Sequence, residues 1–274
     1  MADTARSSVR RALSVLGAFT PTRTRLTLSE LSRAAGLPLT TTHRIVGELA
    51  RWGALERTDD GAYQVGLRLW EIGARAPRGH GLRQIAMPFL EDLYEATRQN
   101  VQLAVLDGMD AVYLERISTR DAVAVISRVG GRLPLHATGV GLVLLAFSDP
   151  EFQEKVLAAP MRKYSSKTID SSEQLRRVIA DVRRRRIAVS DGQITLDALS
   201  VAAPVFDAES RVAAALSVVV PSEHAPREYL PAVQAAARGI SRGLGWVPRQ
   251  LDGDGYPVDA PTHRPDTRAD PPGL

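Results

Sequence analysis

Thr40, Thr41, His43 and Arg44, with Arg51 seven residues further on, are the residues whose types and spacing point most directly to chemistry. That chemistry is recognition rather than catalysis. Short hydroxyls at the start of a helix meet phosphates or base edges, and an arginine one turn later can grip guanine through two parallel hydrogen bonds. Thr41 and Arg44 are the expected base or phosphate contacts, with Thr40 and Arg51 supporting them on the backbone. His43 can touch the same polyanion or bond within its own fold. Arg57 is expected to reach a flanking groove.

The elements that must hold these side chains are legible around them. Thr27 followed three residues later by Glu30 is a capping-box pattern, and Gly36 can take the left-handed conformation that ends a short helix. Pro38 suits the first position of a second helix, with Leu39, Ile45 or Val46, and Leu49 marking its buried side. Asp59-Asp60-Gly61, between Leu55-Glu56-Arg57 and Tyr63-Gln64-Val65, has hairpin turn chemistry. Helix, tight turn, helix and hairpin in that order predict a winged helix-turn-helix. A preceding helix places Val9, Ala12, Leu13, Leu16 and Phe19 on one face. Residues 1–51 hold eight arginines against Asp3, Glu30 and Glu48, a surplus of five positive charges that suits a polyanionic partner. Helix-turn-helix shapes also occur in enzymes and protein-binding modules, and the basic surplus favours DNA.

The whole chain narrows the remaining function classes. Its 274 residues, 44% of them hydrophobic, are enough for two domains with cores of their own. Without cysteine, disulfides, thiolate metal sites and a cysteine nucleophile are excluded. The opening MADTARSSVRRAL has no signal-peptide core, and no apolar run approaches the roughly 18 residues of a membrane span, so the expectation is a soluble cytoplasmic protein with no membrane partner. HExxH, GxSxG and Walker patterns are absent, and Leu144 stands where a GxGxxG begun at Gly139 needs its third glycine. His136 and His224 lack metal-ligand spacing. The expectation is therefore a non-enzyme without cofactor or metal. Arg183 to Arg186 reads as a solvated helix end, where the dipole favours cations, rather than a second nucleic-acid patch.

Beyond the wing, Gly66 to Arg75 reads as a linker helix, closed by the breakers Pro77, Gly79 and Gly81. Leu82, Ile85, Ala86, Phe89, Leu90, Leu93 and Tyr94 mark an amphipathic helix that starts a second domain. Strands are expected at 101–106 and 111–117, with a third at 124–129. Helices follow near 137–147, 150–158 and 172–185, strands at 201–206 and 212–220, and a helix near 226–244. The fold class is thus α+β: a winged domain over 1–65, a linker over 66–80, a second domain of antiparallel sheet and helices over 81–247, and a disordered tail over 248–274. Leu133 to Gly141 is a loop running into an apolar helix, fit either to cradle an anion or to serve as a structural turn. Ser200 and Ser217 are hydroxyls in apolar strands, which either line a pocket or bond within their own sheet.

Several separated motifs together resemble the IclR-type transcriptional regulators over about residues 7–247: LTLSELSRAAGLP with THRI, GAYQVGLRLWEIG, LAVLDGMDAVYLERI, RVGGRLPLHATGVGLVLLA and VAAPVFDAESRVAAALSV. The resemblance implies a winged helix-turn-helix that binds double-stranded operator DNA as a homodimer or tetramer. It also implies a GAF-like domain that binds a small effector, often a carboxylate or aromatic-derived metabolite, so that nearby catabolic genes are repressed or activated. Carried over position by position, the implied effector contacts are Leu133, Gly139, Val140, Ser190, Ala198, Ser200 and Ser217. The chain departs from the family pattern where Ser190 replaces a common acidic residue, Ser200 a frequent cysteine, Asp197 a usual glycine and Leu142 a customary lysine. The alternative is a ligand-independent DNA-binding protein whose second domain serves only dimerisation or partner binding.

Overall fold

The computed structural model describes residues 7–20, 22–120 and 122–248, so of the tail expected over 248–274 all but Pro248 lies outside the described residues. The chain divides into two units between Gln84 and Ile85.

In the first unit, α1 (Ser8–Leu16), α2 (Leu28–Ala35) and α3 (Leu39–Trp52) enclose a core of Val15, Leu31, Ile45 and Val46. The capping box forms as expected: the Thr27 backbone N–H donates to Glu30 Oε2 at 2.8 Å, and the Glu30 N–H donates to Thr27 Oγ1 at 3.4 Å. Gly36, at φ 64°, turns the chain toward α3. Pro38 caps α3 from outside rather than occupying its first position. Leu39, expected on the buried side, is half exposed. The buried stripe instead takes Thr42, whose hydroxyl can be enclosed because it donates to the Pro38 carbonyl at 3.1 Å. Val9 and Leu13 of α1 are likewise exposed, since the core receives that helix along Val15.

The wing is β2 (Leu55–Arg57) and β3 (Tyr63–Val65), joined by β1 (Arg25–Leu26) into a sheet of order β1-β3-β2. Its turn is tied by Asp60, which accepts from Thr58 Oγ1 and from Arg25 at 2.9 Å. The next helix, α4 (Leu67–Gly73), is fastened to the end of α3. The Gly66 N–H donates to the Ala54 carbonyl at 2.8 Å, and the Leu67 N–H to Glu56 Oε1 at 3.0 Å. Arg68 donates to the Trp52 carbonyl at 3.0 Å and covers the Trp52 ring at 4.4 Å. A Cβ on Gly66 would stand 2.2 Å from the Gly53 carbonyl oxygen, so only glycine fits there.

Helix α5 (Pro77–Thr97) runs through the residues expected to break it. Pro77 is its first residue, where a missing N–H costs nothing, and glycine only weakens a helix that packing sustains. The rest of the second unit is β4 (Asn100–Asp107), β5 (Asp110–Ile117), β6 (Arg132–Pro134), α6 (Gly139–Ala146), α7 (Pro150–Ala158), α8 (Ser172–Arg185), β7 (Ala188–Asp191), β8 (Ala198–Phe206), β9 (Val212–Pro221) and α9 (Leu230–Gly243). Six strands form one antiparallel sheet of order β6-β5-β4-β9-β8-β7. Helix α6 is buried throughout against one face, and α9 packs against β8 and β9.

The strand expected at 124–129 does not form. Backbone bonds from Tyr113 to Gly130 and Gly131, and then β6, take up the free edge of β5, which leaves 122–129 irregular. The edge strand β7 was not anticipated, because four residues are too short to show a period.

Candidate DNA interface and effector cavity

Along α3 the exposed side chains of Thr40, His43, Arg44 and Arg51 fall at spacings of three, four and seven, which stack on one face of a helix. Gly47 lies within this stripe, and a Cβ there would meet nothing within 4 Å. Thr41 sits to the side and is half buried. Arg44 and Arg51 each stand 3.9 Å from Glu48, loose exposed pairs that leave both guanidinium groups available to a polyanion. Arg57 on the wing lies over the Tyr63 ring, 6.0 Å from its centroid. The face offers hydroxyls, an imidazole and three cations.

In the second unit a cavity of about 60 Å³ opens where the N-terminus of α6 meets the sheet. Leu133, Gly139, Ser190, Ala198 and Ser200 line it. Register explains why Ser190 and Ser200 arrive together: they are cross-strand partners on β7 and β8, and Ser200 pairs on its other side with Val219, also in the wall. Gly139 is required by this closeness, because a Cβ would stand 2.5 Å from Ser200 Oγ. Gly141 likewise packs against Leu135, so these glycines serve close approach. Val140 does not line the cavity. Turned about 100° from Gly139 on the helix, it is 1% exposed in the core. Ser217, fully buried between Gln102 and Ala202 in the sheet, is not in the wall either, and its hydroxyl has no partner.

The remaining polar wall was missed from sequence. Gln102 faces in from β4 and donates to Ser127 Oγ at 2.7 Å. Tyr113, 2% exposed, is hydrogen-bonded to Thr138; burial pushes its phenol well above the ordinary range, so the group stays protonated. Gln193 presents an enclosed amide oxygen without a partner. A glutamine inside an apolar strand, as at Gln102, was the signal available. Tyr113 stands on β5, whereas Ser127 and Gln193 come from irregular segments whose path has no period. Arg116 holds the 118–131 segment to the sheet, donating to the Ser127 carbonyl at 3.0 Å and to Asn100 Oδ1 at 3.2 Å, while Asn100 Nδ2 donates to the Val123 carbonyl at 2.9 Å.

No residue of the cavity wall carries a formal charge. Asp191 pairs with Lys167 at 2.7 Å, and Asp197 is exposed outside the wall. The arrangement can hydrogen-bond a small polar molecule. Among the described residues no cluster of His, Asp or Glu could hold a metal ion, and no helix is long and apolar enough to cross a membrane.

Comparison with known proteins adds the following. Residues 8–59 match the IclR helix-turn-helix domain, and residues 75–242 match the bacterial transcriptional regulator IclR C-terminal domain. The chain is 31% identical over 245 residues to the HTH-type transcriptional regulator XynR of Escherichia coli K12, covering 87% of this chain and 97% of that one. It is 32% identical over 227 residues to KipR, an HTH-type transcriptional regulator of Bacillus subtilis, covering 81% and 91%. A solved IclR homologue from Microbacterium hydrocarbonoxydans, complexed with 4-hydroxybenzoate, is similar with a TM-score of 0.84 and 39% identity, covering 87% of this chain and 99% of that one.

Proposed function

The chain belongs to the IclR family of bacterial transcriptional regulators, and from that premise we propose that it binds operator DNA through α3 and its wing, under the control of a small effector held in the cavity of the second unit. The observation that carries the reading is the single polar stripe of Thr40, His43, Arg44 and Arg51 on α3. Such a face fits a major groove, with Thr41 and Arg57 at its margins. Because operators are read as paired half-sites, the protein acts as a homo-oligomer. Exposed Val9 and Leu13 on α1, and Leu67, Trp70 and Ile72 on α4, are apolar surface that self-association would cover.

For the effector, the lining residues Leu133, Gly139, Ser190, Ala198 and Ser200 supply apolar contact and hydroxyl donors, and Gln193 Oε1 supplies an acceptor in need of a donor. A small carboxylic acid with a second polar group, such as an aromatic hydroxy acid, meets both needs, whereas a cation finds no counter-charge in the wall. The ligand of the Microbacterium homologue, 4-hydroxybenzoate, has this character. The test is footprinting across the protein's own upstream region with and without a panel of aromatic and aliphatic carboxylates. Protection of a dyad-symmetric site, altered by one of these acids, is the expected result. Absence of any protected site at low salt overturns the DNA reading, and protection indifferent to every acid overturns the effector reading.

A further inference from the structure

The cavity wall is neutral, yet a guanidinium stands immediately behind it. Arg116 is the cross-strand partner of Gln102, which lines the cavity, and its Nη1 donates to the carbonyl of Ser127, which lines it too. Its other bonds, from Nη2 to Asn100 Oδ1 and Ser118 Oγ at 3.2 and 3.1 Å, also end on neutral oxygens. Nε is enclosed and has no acceptor. The Glu115 carboxylate meets Arg116 through the backbone N–H.

Resting on the effector reading above, we infer that Arg116 is the charge selector of the cavity: it makes the site prefer a monoanion to a neutral molecule of the same shape. Neutral partners orient the guanidinium without cancelling its field, and a half-buried cation is screened less than one in water. Glu115, which meets Arg116 through the backbone N–H, is the nearby opposite charge; those nearer the cavity mouth do not oppose the guanidinium. Asp191 is matched by Lys167, Asp197 is exposed outside the wall, and the exposed Arg120 and Arg128 of the 118–131 segment share its sign. A carboxylate seated against Gln102 and Ser127 would lie near the guanidinium that bonds the Ser127 carbonyl, where the attraction amounts to about tenfold or more in affinity. Arg116 acts through the wall, as a specificity-determining residue that need not touch the ligand.

The experiment measures binding of 4-hydroxybenzoate and its neutral isostere 4-hydroxybenzamide to the full chain and to Arg116→Gln and Arg116→Lys, by calorimetry. In the unaltered protein the acid should bind about tenfold or more tighter than the amide. Arg116→Lys should keep most of that preference. Arg116→Gln, which can still donate to the Ser127 carbonyl, should lower acid affinity to that of the amide and leave amide affinity unchanged. Equal binding of acid and amide by the unaltered protein overturns the inference without any variant. So does a preference that survives in Arg116→Gln, or an equal loss for both ligands, which would make Arg116 a loop anchor only. Binding of neither compound by the unaltered protein would remove the aromatic-acid effector reading, and this inference with it.

Discussion

Arg44 is 60% exposed at its side chain, and among the described residues its ion pair is the loose 3.9 Å approach to Glu48. Removing it therefore costs the fold little, whereas a guanidinium directed at a base edge is worth about 1–3 kcal/mol. Arg44→Ala should keep its melting temperature and lose operator affinity by that amount in fluorescence anisotropy; equal affinities would dismiss Arg44 as a contact. Gly47 makes the complementary case. Replacing a mid-helix glycine by alanine should stabilise the protein by about 0.5–1 kcal/mol in urea denaturation, because the added methyl meets nothing. The same methyl stands in the middle of the contact stripe, so operator affinity should fall as stability rises. Ser217 tests the sheet beside the cavity. Its hydroxyl is buried without a partner, so Ser217→Ala should be neutral or stabilising by about 1 kcal/mol, whereas a serine bonded to its own sheet would lose stability.

Among the elements, α2 owes its start to the Thr27–Glu30 pair, and that pair titrates. The Thr27 backbone N–H, then its hydroxyl, hold the Glu30 carboxyl below its ordinary value of 4.5. A depressed carboxyl contributes stability above the unfolded-state value and loses it as pH falls through the lower folded-state value. The stability gap between the native chain and Glu30→Ala should therefore be present at neutral pH and narrow as pH falls below the ordinary value of 4.5. A gap that persists undiminished in acid would assign the effect to helix propensity alone. Local signals such as this one are why the winged unit was legible from sequence: cap, left-handed glycine and hairpin turn act within a few residues of themselves. The second unit was legible where periods are long, as in α8 and β9. It was not legible where long-range partners decide. Residues 124–129 have strand-like composition, but Arg116 and Asn100 hold this stretch through Ser127 and neighbouring Val123 instead of a ladder. The cavity splits the same way: Ser200 stood out as a hydroxyl in an apolar strand, whereas Gln193 and Ser127 reach the wall through irregular chain whose course only the assembled sheet determines.

At the scale of the whole molecule, an effector that binds only the folded state must stabilise it. At a hundredfold excess over its dissociation constant the gain is about 2.7 kcal/mol, readable as a rise in melting temperature. Operator affinity should fall steeply with salt, as counterion release from several phosphate contacts requires. A flat salt dependence would mean that the basic face of α3 is not what meets DNA.

The junction at Gly66 gives those two responses a mechanical consequence. A glycine against the Gly53 carbonyl, the Leu67 N–H on Glu56 and Arg68 clasping Trp52 leave no slack between the end of α3 and the start of α4. The recognition helix and the linker helix thus form a single crank. On the proposed DNA reading, a tilt imposed on α4 is passed to α3 rather than absorbed in the wing, and it swings Thr40 and Arg44, at the far end of α3, sideways across the groove. Gly66→Ala would force that joint open, and the loosened crank should leave a protein that still binds its effector but no longer converts the binding into release or capture of DNA.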